Sequence, residues 1–251
     1  MGAIFLSNRF RIYEEVAAPE TALRRSLTTN EHQVVAFSIR NLDNCFTLMP
    51  RSYFGDVRHL SETARRWFKG PLVLGGSGFS ISPHGWMRRL GADYGVIGEG
   101  ERAFAELLGR LETGRGLEGI PNVLSAASPA WARMTTGSKT AVSPVAGAQA
   151  VPQTNAEGTS EVAGDMSAPL IERLDDLTMP SHELCHYRGY LRRGGSVSVQ
   201  TKRGCPFACI YCTYPRLEGR HYRLRKAEAV VNEIEAVVAK SGSRHFYFVD
   251  S

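Results

Sequence analysis

Three of the chain's five cysteines, Cys205, Cys209 and Cys212, fall in the run Gly204-Cys205-Pro206-Phe207-Ala208-Cys209-Ile210-Tyr211-Cys212. Thiolates spaced CxxxCxxC on one short loop can converge on one metal centre, and three of them cannot all pair as disulfides with each other. Iron and zinc are the thiolate-preferring candidates. A closed zinc site takes four protein ligands, and His221, His245 or the Cys185-His186 pair would have to supply the fourth. The usual zinc pattern is a pair of CxxC units, which this chain lacks. A [4Fe–4S] cluster has four irons, so three cysteines leave one iron open to a substrate or cofactor. Inert buried thiols would sit in an apolar run, whereas Pro, Gly, Lys and Arg surround these.

The cysteine loop needs a scaffold, and the flanking residues supply its pattern. A strand-like run over residues 196–201 precedes it. A helix over residues 225–240 follows, with Ala227, Val230, Val231, Ile234, Val237 and Val238 forming one apolar face. Lys226 and Arg225 stand where a capping Ser or Asp is expected, so the start of that helix is poorly signalled. Ser241-Gly242 ends it, and residues 244–249 read as a second strand.

The amino-terminal half carries a second pattern. Short apolar runs at residues 3–7, 34–39, 72–75 and 94–97 suit buried parallel strands. Helical patterns lie between and after them, at residues 20–27, 56–69 and 101–112. In the last, Phe104, Leu107, Leu108 and Leu111 recur at three- and four-residue spacing. Strand–helix alternation predicts an α/β fold with an open, doubly wound parallel sheet, Rossmann-like in architecture. Such sheets bind ligands at the carboxyl ends of their strands. Small and polar residues gather at those ends here: Ser38, Asn41, Asp43 and Asn44, then Gly75-Gly76-Ser77-Gly78, then Gly98-Glu99-Gly100-Glu101. Glycines in such turns let a backbone approach a large ligand, although each turn alone is equally a plain strand-to-helix connection.

Between residues 125 and 168 Ala, Ser, Thr, Gly and Pro dominate and no hydrophobic period persists, the composition of a linker or insertion. The predicted organisation is therefore an α/β domain over 1–124, a linker over 125–168 and a second domain beginning at 169 and running to 251. His182, Cys185, His186 and Cys45 read as packing or solvated residues. The formal charge of +5 is spread over local pairs such as Arg24-Arg25 and Arg65-Arg66, read as solvated faces, so no nucleic-acid partner is expected. No run approaches the ~18–20 apolar residues of a membrane span. With few cysteines and no secretory signal pattern at Met1, the expected compartment is the cytoplasm.

Cys205, Cys209 and Cys212 after a strand, with Tyr211 before the last cysteine, Gln200-Thr201-Lys202-Arg203-Gly204 before them and Thr213-Tyr214-Pro215 after, resemble the signature of the radical S-adenosylmethionine (SAM) superfamily. That resemblance implies a [4Fe–4S] cluster on the three cysteines, SAM chelated at the open iron with Tyr211 near its adenine, and reductive cleavage to a 5′-deoxyadenosyl radical. It implies the first strand–helix–strand of a partial (β/α) barrel, with Asp250 or Ser251 near SAM and with Lys202 and Arg203 offsetting cluster charge. It also implies a flavodoxin- or ferredoxin-like electron donor.

The amino-terminal half resembles the cobalamin-binding domain found ahead of many radical SAM domains. Ser38 and the Gly75-Gly76 pair match nucleotide-loop positions, and Asn41, Gly98 and Glu99 become candidate cobalamin neighbours. The cobalt-ligating Asp-x-His-x-x-Gly motif is absent, as in many cobalamin-dependent members. Residues 38–44 are similar to a branch acting in lipid biosynthesis, so a small-molecule or lipid-precursor substrate is expected, with methyl transfer or a related carbon modification as the reaction. The alternatives are a radical SAM enzyme without cobalamin, and an inactive or zinc-binding module. Because a barrel of this family has further strand–helix units, the resemblance implies a fragment of a longer enzyme.

Overall fold

The computed structural model describes residues 19–43, 48–128, 169–178, 180, 191, 192 and 194–250, and the backbone of 3–7. Asn44, Cys45, His182, Cys185, His186, Ser251 and most of the 125–168 stretch lie outside the described residues. The chain divides into two compact units, Met1–Pro169 and Leu170–Ser251.

The first unit is built on a five-stranded sheet in the order β1 (Ala3–Ser7), β2 (Val34–Ser38), β3 (Leu72–Gly75), β4 (Tyr94–Val96), β5 (Val123–Ser125). The first four strands are parallel and β5 runs antiparallel to β4. The helices are α1 (Pro19–Thr29), α2 (Phe54–Trp67), α3 (Ser77–Ile81), α4 (Pro83–Leu90) and α5 (Gly100–Thr113). Strand side chains alternate between the faces, and each face has its own core. Val35, Phe37, Leu72 and Leu74 pack with Leu23 of α1, Val57 and Ala64 of α2, and Trp86, Met87 and Leu90 of α4. Val34, Ala36, Val73 and Val96 pack with Ala103 and Leu107 of α5. Right-handed crossovers between strands laid down in sequential order put α1, α2 and α4 on one face. The connection from β4 to antiparallel β5 carries α5 to the other, so helices cover both sides of the parallel strands.

Strand β5 and the helices α3 and α4 went unread in the sequence. Strand β5 has three half-buried residues and no hydrophobic alternation, so only its pairing with β4 identifies it. Helix α4 is short, but Pro83 at its first turn, where a missing N–H does no harm, and its buried Trp86, Met87 and Leu90 on one face were legible signals.

The second unit contains a β–α–β piece. Strand β6 (Val197–Val199) pairs in parallel with β9 (Phe246–Phe248), in register Val197↔Phe246 to Val199↔Phe248, and α7 (Ala227–Ser241) is the crossover. A short antiparallel ribbon joins β7 (Lys202–Arg203) to β8 (Arg223–Leu224), and α6 (Tyr214–Leu217) lies between them in the chain. The strand–helix–strand start of a barrel predicted from the sequence is thus present. The ribbon was not predicted. The poorly signalled start of α7 has a distant cap: the Lys226 N–H donates to the Asp175 carboxylate at 3.0 and 3.3 Å, across 51 residues of chain. A carboxylate there also faces the positive end of the helix dipole. Among the described residues no helix is long and apolar enough to cross a membrane.

Candidate functional site

The cysteine loop opens at the carboxyl end of β6 and is closed at its base by backbone contacts. Gly204 takes φ +87°, and a Cβ there would lie 2.1 Å from the His221 carbonyl oxygen. Only glycine fits so close an approach in that conformation. The Gly204 N–H points to Glu218 Oε2 at 3.3 Å, and the Cys205 N–H donates to the Gly219 carbonyl at 3.0 Å. The Cys212 N–H donates to the Cys209 carbonyl at 3.1 Å, a tight turn that precedes α6. Buried Pro215 and Leu217 anchor that helix.

All three cysteines are free thiols; Cys209 is exposed, and Cys205 and Cys212 are half-buried. Phe207, Ile210 and Tyr211 project from the same loop, Ile210 fully exposed and Tyr211 87% exposed. Among the described residues no group of three or more His, Cys, Asp or Glu side chains stands close enough to hold a metal ion. His221 and His245, the candidate fourth zinc ligands, join no such group either. The donor set itself, three free thiols on one loop tied down at both ends, fits a cluster that takes three protein ligands.

The strand end feeding this loop is held from two other elements. Asp250, just past β9, accepts hydrogen bonds from the Thr201 N–H at 2.7 Å, the Lys202 N–H at 3.1 Å and the Thr201 hydroxyl. The Arg225 guanidinium donates to the Gln200 carbonyl at 2.8 Å and pairs with Glu233, whose side chain is only 2% exposed. The Arg225 N–H donates to the Thr201 carbonyl at 2.8 Å. Lys202 and Arg203, expected beside the cluster, are engaged locally. The Lys202 ammonium lies 4.8 Å from the Tyr222 ring centre, and Arg203 donates to the Gln200 side chain at 2.9 Å.

In the first unit the carboxyl ends of the strands lie in step, Ser7 beside Ser38 and Ser38 beside Gly75. The Ile39 N–H donates to the Gly75 carbonyl at 2.7 Å, and the Ile39 carbonyl accepts from the Gly78 N–H at 2.8 Å. Gly76, at φ +96°, has no room for a Cβ, which would meet the Ile39 carbonyl oxygen at 2.6 Å. Its identity is thus set by the crossing of two loops. Ser80, which sequence reasoning missed, ties the third turn to the fourth. Fully buried, it donates through its hydroxyl to the Gly76 carbonyl at 2.9 Å and accepts from the Gly98 N–H at 2.8 Å. Its four-residue offset from Gly76 was the available signal.

Ser38, Gly75, Gly76 and Gly98 therefore share one edge. Asn41 is exposed on the loop beyond β2, Asp43 forms an isolated bridge with Ser52, and Glu99 is buried at the start of α5. None of the stretches 38–43, 75–78 and 98–101 contains a histidine. Two open hollows, one lined by Ser61, Arg65, Arg66 and Lys69 and the other by Gly70, Pro71, Asp93 and Ser125, lie toward the amino ends of β3 and β4 instead. Convergent chemistry, rather than size, decides between these places, and the carboxyl edge has it.

No protein-family model matches the sequence. The chain is 28% identical over 242 residues to a tryptophan 2-C-methyltransferase of Streptomyces laurentii, covering 87% of this chain and 39% of that protein. Over 78 residues it is 33% identical to a hopanoid C-2 methylase of Rhodopseudomonas palustris, covering 14% of that protein. Its fold matches the solved structure of the radical SAM methyltransferase TsrM from Kitasatospora setae with cobalamin and a [4Fe–4S] cluster bound, with a TM-score of 0.66 and 26% identity over 92% of this chain and 40% of that one. The chain thus spans about two fifths of the length of such relatives. In sequence and in fold it resembles the radical SAM superfamily, in the branch that also carries a cobalamin-binding domain.

Proposed function

We propose that the chain is the cobalamin-binding and cluster-binding portion of a radical SAM methyltransferase acting on a carbon atom of a small molecule. The observation that carries this reading is the loop of three free cysteines, CxxxCxxC, opening at the carboxyl end of the first strand of a parallel β–α–β unit. Enzymes built on parallel strands place their chemistry at that end. Cys205, Cys209 and Cys212 would hold a [4Fe–4S] cluster, which supplies an open iron to bind SAM and an electron to cleave it. Tyr211, exposed beside Cys212, would offer its ring to the adenine of SAM.

The edge formed by Ser38, Asn41, Gly75, Gly76, Gly98 and Glu99 would hold the corrinoid, which supplies the methyl group. Those turns contain no histidine, so they would hold the corrinoid through backbone groups and the Ser38, Asn41 and Glu99 side chains. Carbon is the favoured methyl acceptor because a tryptophan 2-C-methyltransferase and a hopanoid C-2 methylase are both among the relatives. The electron donor would be a small flavodoxin- or ferredoxin-like protein.

Anaerobic reconstitution with iron and sulfide tests the cluster. The chain is expected to bind about four irons and four sulfides, and Cys205→Ala, Cys209→Ala and Cys212→Ala each to lose them. Bound zinc near one equivalent without labile sulfide, or iron uptake undiminished in Cys205→Ala, would overturn the reading. Incubation with hydroxocobalamin followed by gel filtration tests the other half. A retained corrinoid spectrum is expected, and its loss would leave a radical SAM protein without cobalamin.

A further inference from the structure

The cysteine loop leaves β6 through residues 200–202, and side chains remote in sequence hold those three residues from both sides. Asp250, 49 residues from Thr201, takes both backbone N–H groups of Thr201 and Lys202 on Oδ1 and the Thr201 hydroxyl on Oδ2. On the other side Arg225 reaches the carbonyls of Gln200, through its guanidinium, and of Thr201, through its N–H. Glu233 holds that guanidinium by a buried ion pair. Bonds to charged groups are roughly twice as strong as neutral ones. The Val249 N–H donates to the Val199 carbonyl at 2.9 Å, so Asp250 continues the β6–β9 ladder as a side chain where the backbone ladder stops. Two residues beyond Lys202 the chain turns at Gly204, and the first thiol, Cys205, follows.

Both oxygens of Asp250 are committed to this strand end. Asp250 or Ser251 was expected near SAM; the Asp250 carboxylate sits on Thr201 and Lys202, and Ser251 lies outside the described residues. We infer that Asp250 is a positioning residue for the cysteine loop, with the Arg225–Glu233 pair as its counterpart on the opposite side. Together they fix the point and direction from which the loop leaves β6. This inference rests on reading that loop as a cluster site. Each residue held in place at the root of the loop before the cluster forms reduces the entropy lost at that step.

The test uses the full chain and three variants, Asp250→Ala, Asp250→Asn and Thr201→Val. In the metal-free protein, amide hydrogen exchange at Thr201 and Lys202 reports the clamp directly. Asp250→Ala is expected to speed exchange at both positions by at least about tenfold, since one lost bond to a charged group is by itself worth roughly that factor or more. After anaerobic reconstitution it is expected to bind severalfold less iron and sulfide and to broaden the electron paramagnetic resonance signal of the reduced cluster. Asp250→Asn keeps an acceptor for the two N–H groups and is expected to restore most of the loading. Should Asp250→Ala not fold, Thr201→Val decides. It preserves the branched shape, loses one bond to the carboxylate, and is expected to speed exchange at Lys202 and slow cluster loading. Loading, line shape and exchange all unchanged in the folded variants would overturn the inference. A parent chain that takes up no iron would sink the cluster reading instead, while the exchange rates would still decide whether the clamp exists.

Discussion

Gly204 shows how one backbone position governs the loop. Its left-handed conformation alone costs a side chain about 1–2 kcal/mol, and the Cβ would also press on a carbonyl oxygen 2.1 Å away, which is backbone and cannot rotate aside. Gly204→Ala is therefore expected to lower the stability of the second unit by more than that conformational cost and to reduce iron uptake with all three cysteines intact. Denaturant unfolding and iron analysis of the same sample check both. Asp250 adds a dependence on pH. Partial burial raises its carboxyl pKa, but the Thr201 hydroxyl, the N–H groups of Thr201 and Lys202 and the Lys202 charge together bring it below the ordinary value of 3.8. A folded pKa below the unfolded one contributes stability that is fully present above the unfolded value. That stability is lost as pH falls through the folded value. Acid is thus expected to loosen the strand end below about pH 4, seen as faster loss of structure at residues 200–202 by nuclear magnetic resonance. Glu20, hydrogen-bonded by His59, and Glu62, hydrogen-bonded by Arg58, are also lowered, so acid unfolding of the whole chain mixes several groups. The difference between the parent and Asp250→Asn isolates the Asp250 part.

At the scale of elements, α7 is held at its start and middle by residues outside it. Asp175 caps its first turn and Arg225 pairs with Glu233 on its buried face. Removing one partner of a buried pair leaves the other charge without compensation, typically about 3–5 kcal/mol. Because Arg225 also bonds the Gln200 carbonyl, Glu233→Ala is expected near the lower end, about 3 kcal/mol. Asp175→Ala, which removes an exposed cap, is expected to cost about 1 kcal/mol. Urea unfolding monitored by the α7 amides checks the ranking, and equal effects would contradict it. In the first unit, Leu107 of α5 is fully buried against Val34, Ala36 and Val73. Leu107→Ala is expected to cost about 2–5 kcal/mol in that unit while the α7 amides stay unchanged.

At the scale of the molecule, the chain divides into two compact units. The first has a core on each face of its sheet, so it carries what a domain needs to fold alone. A chain of residues 1–128 is expected to melt in one cooperative transition by circular dichroism and, on the reading proposed above, to retain hydroxocobalamin through gel filtration. A non-cooperative melt would mean that the first unit depends on the second. Neither result bears on the cysteine loop, so corrinoid binding and cluster binding can be tested apart.

The cysteine spacing, the strand–helix alternation and the glycine-rich turns were legible because each is a local pattern: a period of hydrophobicity, a ligand interval, a residue that tolerates a special backbone angle. They were enough to name the parallel sheet, the β–α–β start of the second unit and the three thiols. Tertiary structure alone decided the rest, because the remaining contacts join residues far apart in the chain. Strand β5 exists through its pairing with β4, not through its own pattern. Ser80 matters because two turns meet on its hydroxyl. The start of α7, unreadable at Arg225-Lys226, is capped by Asp175, and Asp250 turns to Thr201 and Lys202 rather than outward. A hydrogen bond across some fifty residues leaves no periodic trace in sequence, since its two ends are brought together only by the folding of everything between them.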